Sequence, residues 1–140
     1  MRIIVSRPQL TNSMAFYLGP GSKAQGLHRD DRCHYTRHPA RYETDNGIKF
    51  AGTKSYKANG VTNVVPGSNH WDDHRKPNPE EAVPAELEKG DALIWLGSTY
   101  HGAGFNSTKD EMSPPPGGTY NSRVVSPGRE AVFSLPSGGC

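Results

Sequence analysis

The sequence predicts a short-stranded all-β domain with long loops. Hydrophobic residues make up only 33% of the 140, glycine and proline number 16 and 12, and several apolar stretches alternate with period two. A chain of this length has room for one domain and one core of modest size.

From Asn12 to Leu18, Met14, Phe16 and Leu18 alternate with Ser13, Ala15 and Tyr17, which argues for a strand that Gly19-Pro20-Gly21 ends in a turn. The next strand would carry Gln25, Leu27 and Arg29 on one face and Gly26, His28 and Asp30 on the other. Arg32 to Gly47 has no sustained period and reads as a long loop. His34 and His38 stand at i and i+4 within it, but Pro39 argues against the helix that would align them, so loop-packing roles suit them better than metal binding.

Ile48 to Tyr56 reads as a strand with Ile48 and Phe50 facing inward, and Asn59-Gly60 supplies turn residues. Val61 to Pro66 is a β-branched strand. Gly67 to Pro79 is a loop whose Ser68, His70, Trp71 and His74 would border an entrance. Pro79 to Lys89 allows at most a short helical turn interrupted by Pro84, and its Glu80, Glu81, Glu86 and Glu88 read as a solvated face. Ala92 to Leu96 reads as a buried strand with Trp95 in the core.

One constellation carries chemistry. Alternation along a strand projects His28 and Asp30 from one face, as two ligands of one ion require, and the Ala92–Leu96 strand delivers His101 through Ser98-Thr99-Tyr100 as a third. Two imidazoles and one carboxylate leave other coordination positions open, the arrangement non-haem Fe(II) oxygenases use to bind a co-substrate and O₂ together. A histidine and an aspartate two apart are common in polar loops, so the pair alone has little weight.

The 16 basic and 14 acidic residues are well mixed, which gives no argument for a nucleic-acid or membrane partner and points to a small molecule. Cys33 and Cys140, with no CxxC pair, fit a reducing compartment. No stretch approaches the ~20 apolar residues of a spanning helix, the N-terminus lacks the long apolar region of a signal peptide, and Ser137-Gly138-Gly139-Cys140 is neither a peroxisomal signal nor a prenylation box. A cytoplasmic location is the expectation, with the peroxisome left open as well; a homodimer is also left open.

Pro8-Gln9-Leu10, Gly19-Pro20-Gly21, Gln25 to Asp31, Asn59 to Ser68, Glu88-Lys89-Gly90-Asp91-Ala92 and His101 to Asn106 follow one another as in the phytanoyl-CoA dioxygenase family. The chain resembles its fungal branch from about Arg7 to Glu111. The resemblance implies a double-stranded β-helix, the cupin-like jelly roll, here incomplete and apparently truncated at both ends. It implies Fe(II) as the metal and 2-oxoglutarate as co-substrate, with O₂ consumed, succinate and CO₂ released, and a small lipophilic metabolite or acyl substrate oxidised. Thr62 stands where the family places a threonine near the 2-oxoglutarate carboxylates, and Gln25 sits three residues before His28 as in the fungal relatives. On a regular strand Gln25 faces away from His28, so a bend near Gly26 would be needed. Asn106 matches a family asparagine expected to fix a local turn, and Asn69 occupies a usual histidine position, which leaves His70 a structural role.

The family's arginine for the distal carboxylate falls on Met112 or Ser113, neither of which can form a bidentate pair. Residues 1–111 are therefore read as the dioxygenase core, and 112–140 as a divergent Pro/Gly/Ser-rich tail. A hairpin at 122–135 around Pro127-Gly128 would offer Arg123 or Arg129 in place of the missing arginine; otherwise the tail is disordered and the barrel open. The rival readings are a catalytically silent metal-binding remnant and a cupin-like module without redox chemistry.

Overall fold

The computed structural model describes residues 9–111 and 119–125. Its strands are β1 (Gln9–Phe16), β2 (Asp45–Phe50), β3 (Thr62–Val64), β4 (Val83–Pro84), β5 (Ala92–Leu96), β6 (His101–Ala103) and β7 (Thr119–Val125). Short 3-10 turns occupy Asp30–His34, Ser68–His70 and Pro79–Glu81. Pairing is antiparallel throughout, in a four-stranded sheet of order β1-β7-β2-β5 and a three-stranded sheet of order β4-β3-β6. The described strands do not close into a barrel. The architecture is an incomplete double-stranded β-helix, as expected.

Contacts among the described residues reach from one sheet to the other. Lys49 of β2 donates from Nζ to Thr62 Oγ1 of β3 over 3.0 Å, and the Trp95 ring of β5 lies 4.9 Å from the His101 ring of β6. Ala51, Val61, Val65, Trp95 and Tyr100 are the buried apolar side chains of the described residues, whereas the buried polar ones include Asp30, Asp31, Asp45, Lys49, Ser68 and Asn106. Polar groups this deep must find partners. Asn106 does so by donating to the Leu18 and Glu111 carbonyls and accepting from the Thr108 amide and hydroxyl, the turn-fixing role its motif implied.

Strand parity differs from the expectation in β2 and β5. Gly47 and Lys49 are buried, while Phe50 is 48% and Ile94 63% exposed. The register explains it: Gly47 pairs with Trp95 and Ile48 with Ile94, and a Cβ on Gly47 would stand 2.1 Å from Trp95 Cε2. Only a glycine lets the indole lie across β2, and once that pair faces inward, alternation sends Ile48, Phe50 and Ile94 outward.

The strand expected through Asp30 does not form. His28 forms an isolated bridge to His101, and Asp30 opens a 3-10 turn that runs to His34, into the stretch read as loop. Gly60, with φ 85°, serves the Asn59-Gly60 turn. The Pro79–Glu81 turn is closed by a capping box, Asn78 accepting from the Glu80 amide and Glu81 from the Asn78 amide. In the C-terminal part, β7 runs between β1 and β2; the other arm of the expected hairpin, Arg129, Met112 and Ser113 lie outside the described residues.

Candidate metal centre

Three side chains converge where the sheets meet. The backbones of His28 and His101 exchange two hydrogen bonds, N–H to carbonyl in each direction at 2.9 Å, and their rings stand 4.6 Å apart. Arg29 is extended (φ −108°, ψ 135°), so the parity that puts His28 and Asp30 on one side survives although the strand does not. The Asp30 amide is anchored on the Gly97 carbonyl at 2.9 Å. A Cβ on Gly97 would meet Asp45 Cβ at 2.6 Å and Asp31 Cβ at 3.2 Å, so this approach also depends on glycine.

Asp30 Oδ1 lies 3.5 Å from His28 Nε2, and Oδ2 lies 3.3 Å from His101 Nε2. One ligand atom from each of the three residues falls within 4.8 Å of the others. With metal–ligand bonds of ~2.1 Å, adjacent donors of an octahedral ion stand about 3 Å apart, so the spacing suits one ion. His28 Nδ1 faces the Gly26 carbonyl and His101 Nδ1 the Thr99 carbonyl, both at 2.9 Å. Carbonyls only accept, so both protons sit on Nδ1 and Nε2 presents its lone pair toward Asp30, the tautomer a metal requires. The Asp30 and His101 side chains are almost fully buried, while that of His28 is 33% exposed. The cluster therefore opens on the His28 side.

Trp95 Nε1 donates to Asp30 Oδ2 over 3.3 Å, so the core residue expected from sequence also orients the carboxylate. Gly102 and Gly104 hold neighbouring backbones close: a Cβ there would fall 2.9 Å from the Gln25 carbonyl and 2.9 Å from the Val61 carbonyl, respectively.

Thr62 is buried and pairs with Ala103, and Val64 pairs with His101. Gln25 is exposed; its amide donates to the Ala103 carbonyl at 2.9 Å and its Oε1 accepts from the Ala103 amide at 3.4 Å. It thus lies along the β6 edge next to Ala103. Arg123 occupies the β7 register opposite Gly47.

The remaining histidines stand apart from the cluster. His38 is buried between Asp31 (2.9 Å) and Asp73 (2.8 Å), His34 lies 3.7 Å from Asp45, and His70 is exposed. Ser68, expected at an entrance, is fully buried and accepts from the Tyr100 amide. Arg29 donates to the Ser68 and Trp71 carbonyls and stacks on Tyr100. Hydrogen bonds to the His38 amide and ring hold the Asp73 carboxyl below the usual range. This Arg29–Asp31–His38–Asp73 network and Lys49 were missed by sequence reasoning. Their partners are distant in the chain, and no short motif marks them.

A paired-sheet β-helix with two imidazoles and a carboxylate at its seam has the form of the cupin-like non-haem oxygenases. The chain belongs to the phytanoyl-CoA dioxygenase (PhyH) family, whose model matches residues 3–112. It is 36% identical over 134 residues to the dioxygenase swnH1 of Arthroderma benhamiae, covering 92% of this chain and 44% of the relative. It is 42% identical over 110 residues to swnH1 of Metarhizium robertsii, covering 75% and 36%. The chain thus spans less than half the length of these relatives. Among solved structures it is similar to AviO1 from Streptomyces viridochromogenes (TM-score 0.67, 19% identity, 89% of this chain and 53% of that one). It is also similar to the non-haem α-ketoglutarate-dependent epimerase SnoN of nogalamycin biosynthesis (TM-score 0.64, 22% identity, 84% and 48%). Both likenesses concern the fold. No helix among the described residues is long and apolar enough to cross a membrane.

Proposed function

We propose that this chain carries the metal centre of an Fe(II)- and 2-oxoglutarate-dependent dioxygenase acting on a small lipophilic metabolite, with His28, Asp30 and His101 as iron ligands. The observation that supports it most is the pair of Nδ1–carbonyl hydrogen bonds, which turn both Nε2 atoms toward Asp30. When bound, iron and 2-oxoglutarate supply oxidation of a C–H bond by O₂, with succinate and CO₂ as co-products.

The chain's own groups bind and orient. Asp30 neutralises part of the metal charge, Trp95 fixes its carboxylate, and the exposed side of His28 leaves room for the reactants. Thr62 and Gln25 contact 2-oxoglutarate, and Arg123, one strand from Gly47, is the arginine candidate on the described strands. A small lipophilic metabolite is the substrate class that the family resemblance implies, with O₂ as the second reactant; a homodimer is left open.

Anaerobic addition of Fe(II) and 2-oxoglutarate tests this reading. A visible metal-to-ligand charge-transfer band is expected, and His101→Ala is expected to abolish it. Iron uptake without the band would favour a silent remnant, the rival supported by Met112 and Ser113 at the family's arginine position; no uptake would remove the site.

A further inference from the structure

We propose that Lys49, reaching across from the opposite sheet, is a binding residue for the distal carboxylate of the keto-acid co-substrate, with Thr62 as its hydrogen-bonding companion. The inference rests on the iron and keto-acid reading above and adds to it a cation for the far end of the ligand.

Lys49 is 8% exposed. Its ammonium has three protons to donate; Thr62 Oγ1 accepts one at 3.0 Å, and among the described residues no carboxylate lies within ion-pair distance. A buried, charged side chain without a counter-ion is costly and is ordinarily paired. Burial alone pushes the Lys49 amine down to about 8, with no carboxylate pulling it back up. A dicarboxylate ligand would supply the missing negative charge.

Position agrees with chemistry. His101 pairs with Val64 and Ala103 with Thr62, and paired residues share a sheet face, so Thr62 stands on the His101 face as a diagonal neighbour. Such neighbours are separated by about 7–8 Å between Cα atoms. That span matches an extended five-carbon diacid with one end at the cluster and the other at Thr62. Lysine meets a carboxylate as a point charge, without the bidentate geometry of arginine, and a second donor such as the Thr62 hydroxyl complements it.

The test uses the full chain loaded anaerobically with Fe(II) and follows the visible band on titration with two keto acids. One is 2-oxoglutarate; the other is 2-oxovalerate, which has a methyl group in place of the distal carboxylate. The native chain is expected to prefer 2-oxoglutarate at least tenfold. Lys49→Met is expected to bring that preference within twofold while Fe(II) and 2-oxovalerate affinities change less than twofold. Full preference retained in Lys49→Met would overturn the proposal and leave anchoring to another cation such as Arg123. Absence of a band with either acid in the native chain would overturn the underlying reading as well, a distinguishable failure. A pH series on the native chain covers the case in which the variant does not fold. The preference should hold below a pH of about 8 and fall roughly tenfold per unit above it, as the ammonium is lost; a preference still flat at a pH of about 9.5 overturns the proposal.

Discussion

Trp95 donates its indole N–H to Asp30 Oδ2 over 3.3 Å, and the same ring lies across Gly47 so closely that a Cβ there would be 2.1 Å from Cε2. A core aromatic thus links a backbone requirement in β2 to the orientation of the Asp30 carboxylate. Trp95→Phe keeps most of the ring and removes the donor. It is expected to weaken divalent-metal binding by about 10- to 100-fold, the range for losing a group that orients a ligand, with little change in fold. Titration with Fe(II), or with Co(II) as a spectroscopic surrogate, followed alongside circular dichroism, checks it.

Gly47→Ala acts on the same link from the other side. The added methyl forces the indole out of place, and overpacking of this kind costs about 1–3 kcal/mol. Chemical denaturation should register that loss, and metal affinity should fall with it because Trp95 can no longer reach Asp30. A variant of native stability and native metal affinity would contradict the packing described.

How much of this was legible in the sequence divides along physical lines. The His28, Asp30 and His101 grouping was readable because the extended Arg29 keeps its two neighbours on one side, and the apolar Ala92–Leu96 strand runs toward the third member. Which face of β2 points inward was not. Ile48 and Phe50 are more apolar than Gly47 and Lys49, and hydrophobicity alone chooses the wrong side when a strand must clear an indole and send a cation to the opposite sheet. The Arg29–Asp31–His38–Asp73 network was equally hidden, since its pairs lie up to 44 positions apart in the chain and reveal themselves only on folding.

That network carries its own prediction. His38 is buried with one ring nitrogen 2.9 Å from the fully buried Asp31 and the other 2.8 Å from the half-exposed Asp73. His38→Ala would deprive Asp31 of this partner, and breaking a buried pair from one side costs about 3–5 kcal/mol. Asp73→Asn should cost less, because water can replace what Asp73 loses. Equal losses of denaturation midpoint in the two variants would argue against this ordering.

Lys49 permits a stability prediction independent of any ligand. Burial lowers its amine from 10.5 to about 8, so the unfolded chain holds its proton more tightly than the folded one. Below a pH of about 8 both states are charged and the folded state bears the full desolvation cost, roughly 3 kcal/mol at 1.36 kcal/mol per pKa unit. Between about 8 and 10.5 the folded state sheds the proton first, and this contribution to stability rises with pH. Lys49→Met, of similar length and without charge, is therefore expected to be more stable than the native chain near neutral pH. The difference should shrink as the pH approaches 10.5. Urea denaturation of both proteins across that range measures it. A Lys49→Met chain less stable than native at pH 7 would mean that the amine is better solvated or better paired than its position beside Thr62 implies.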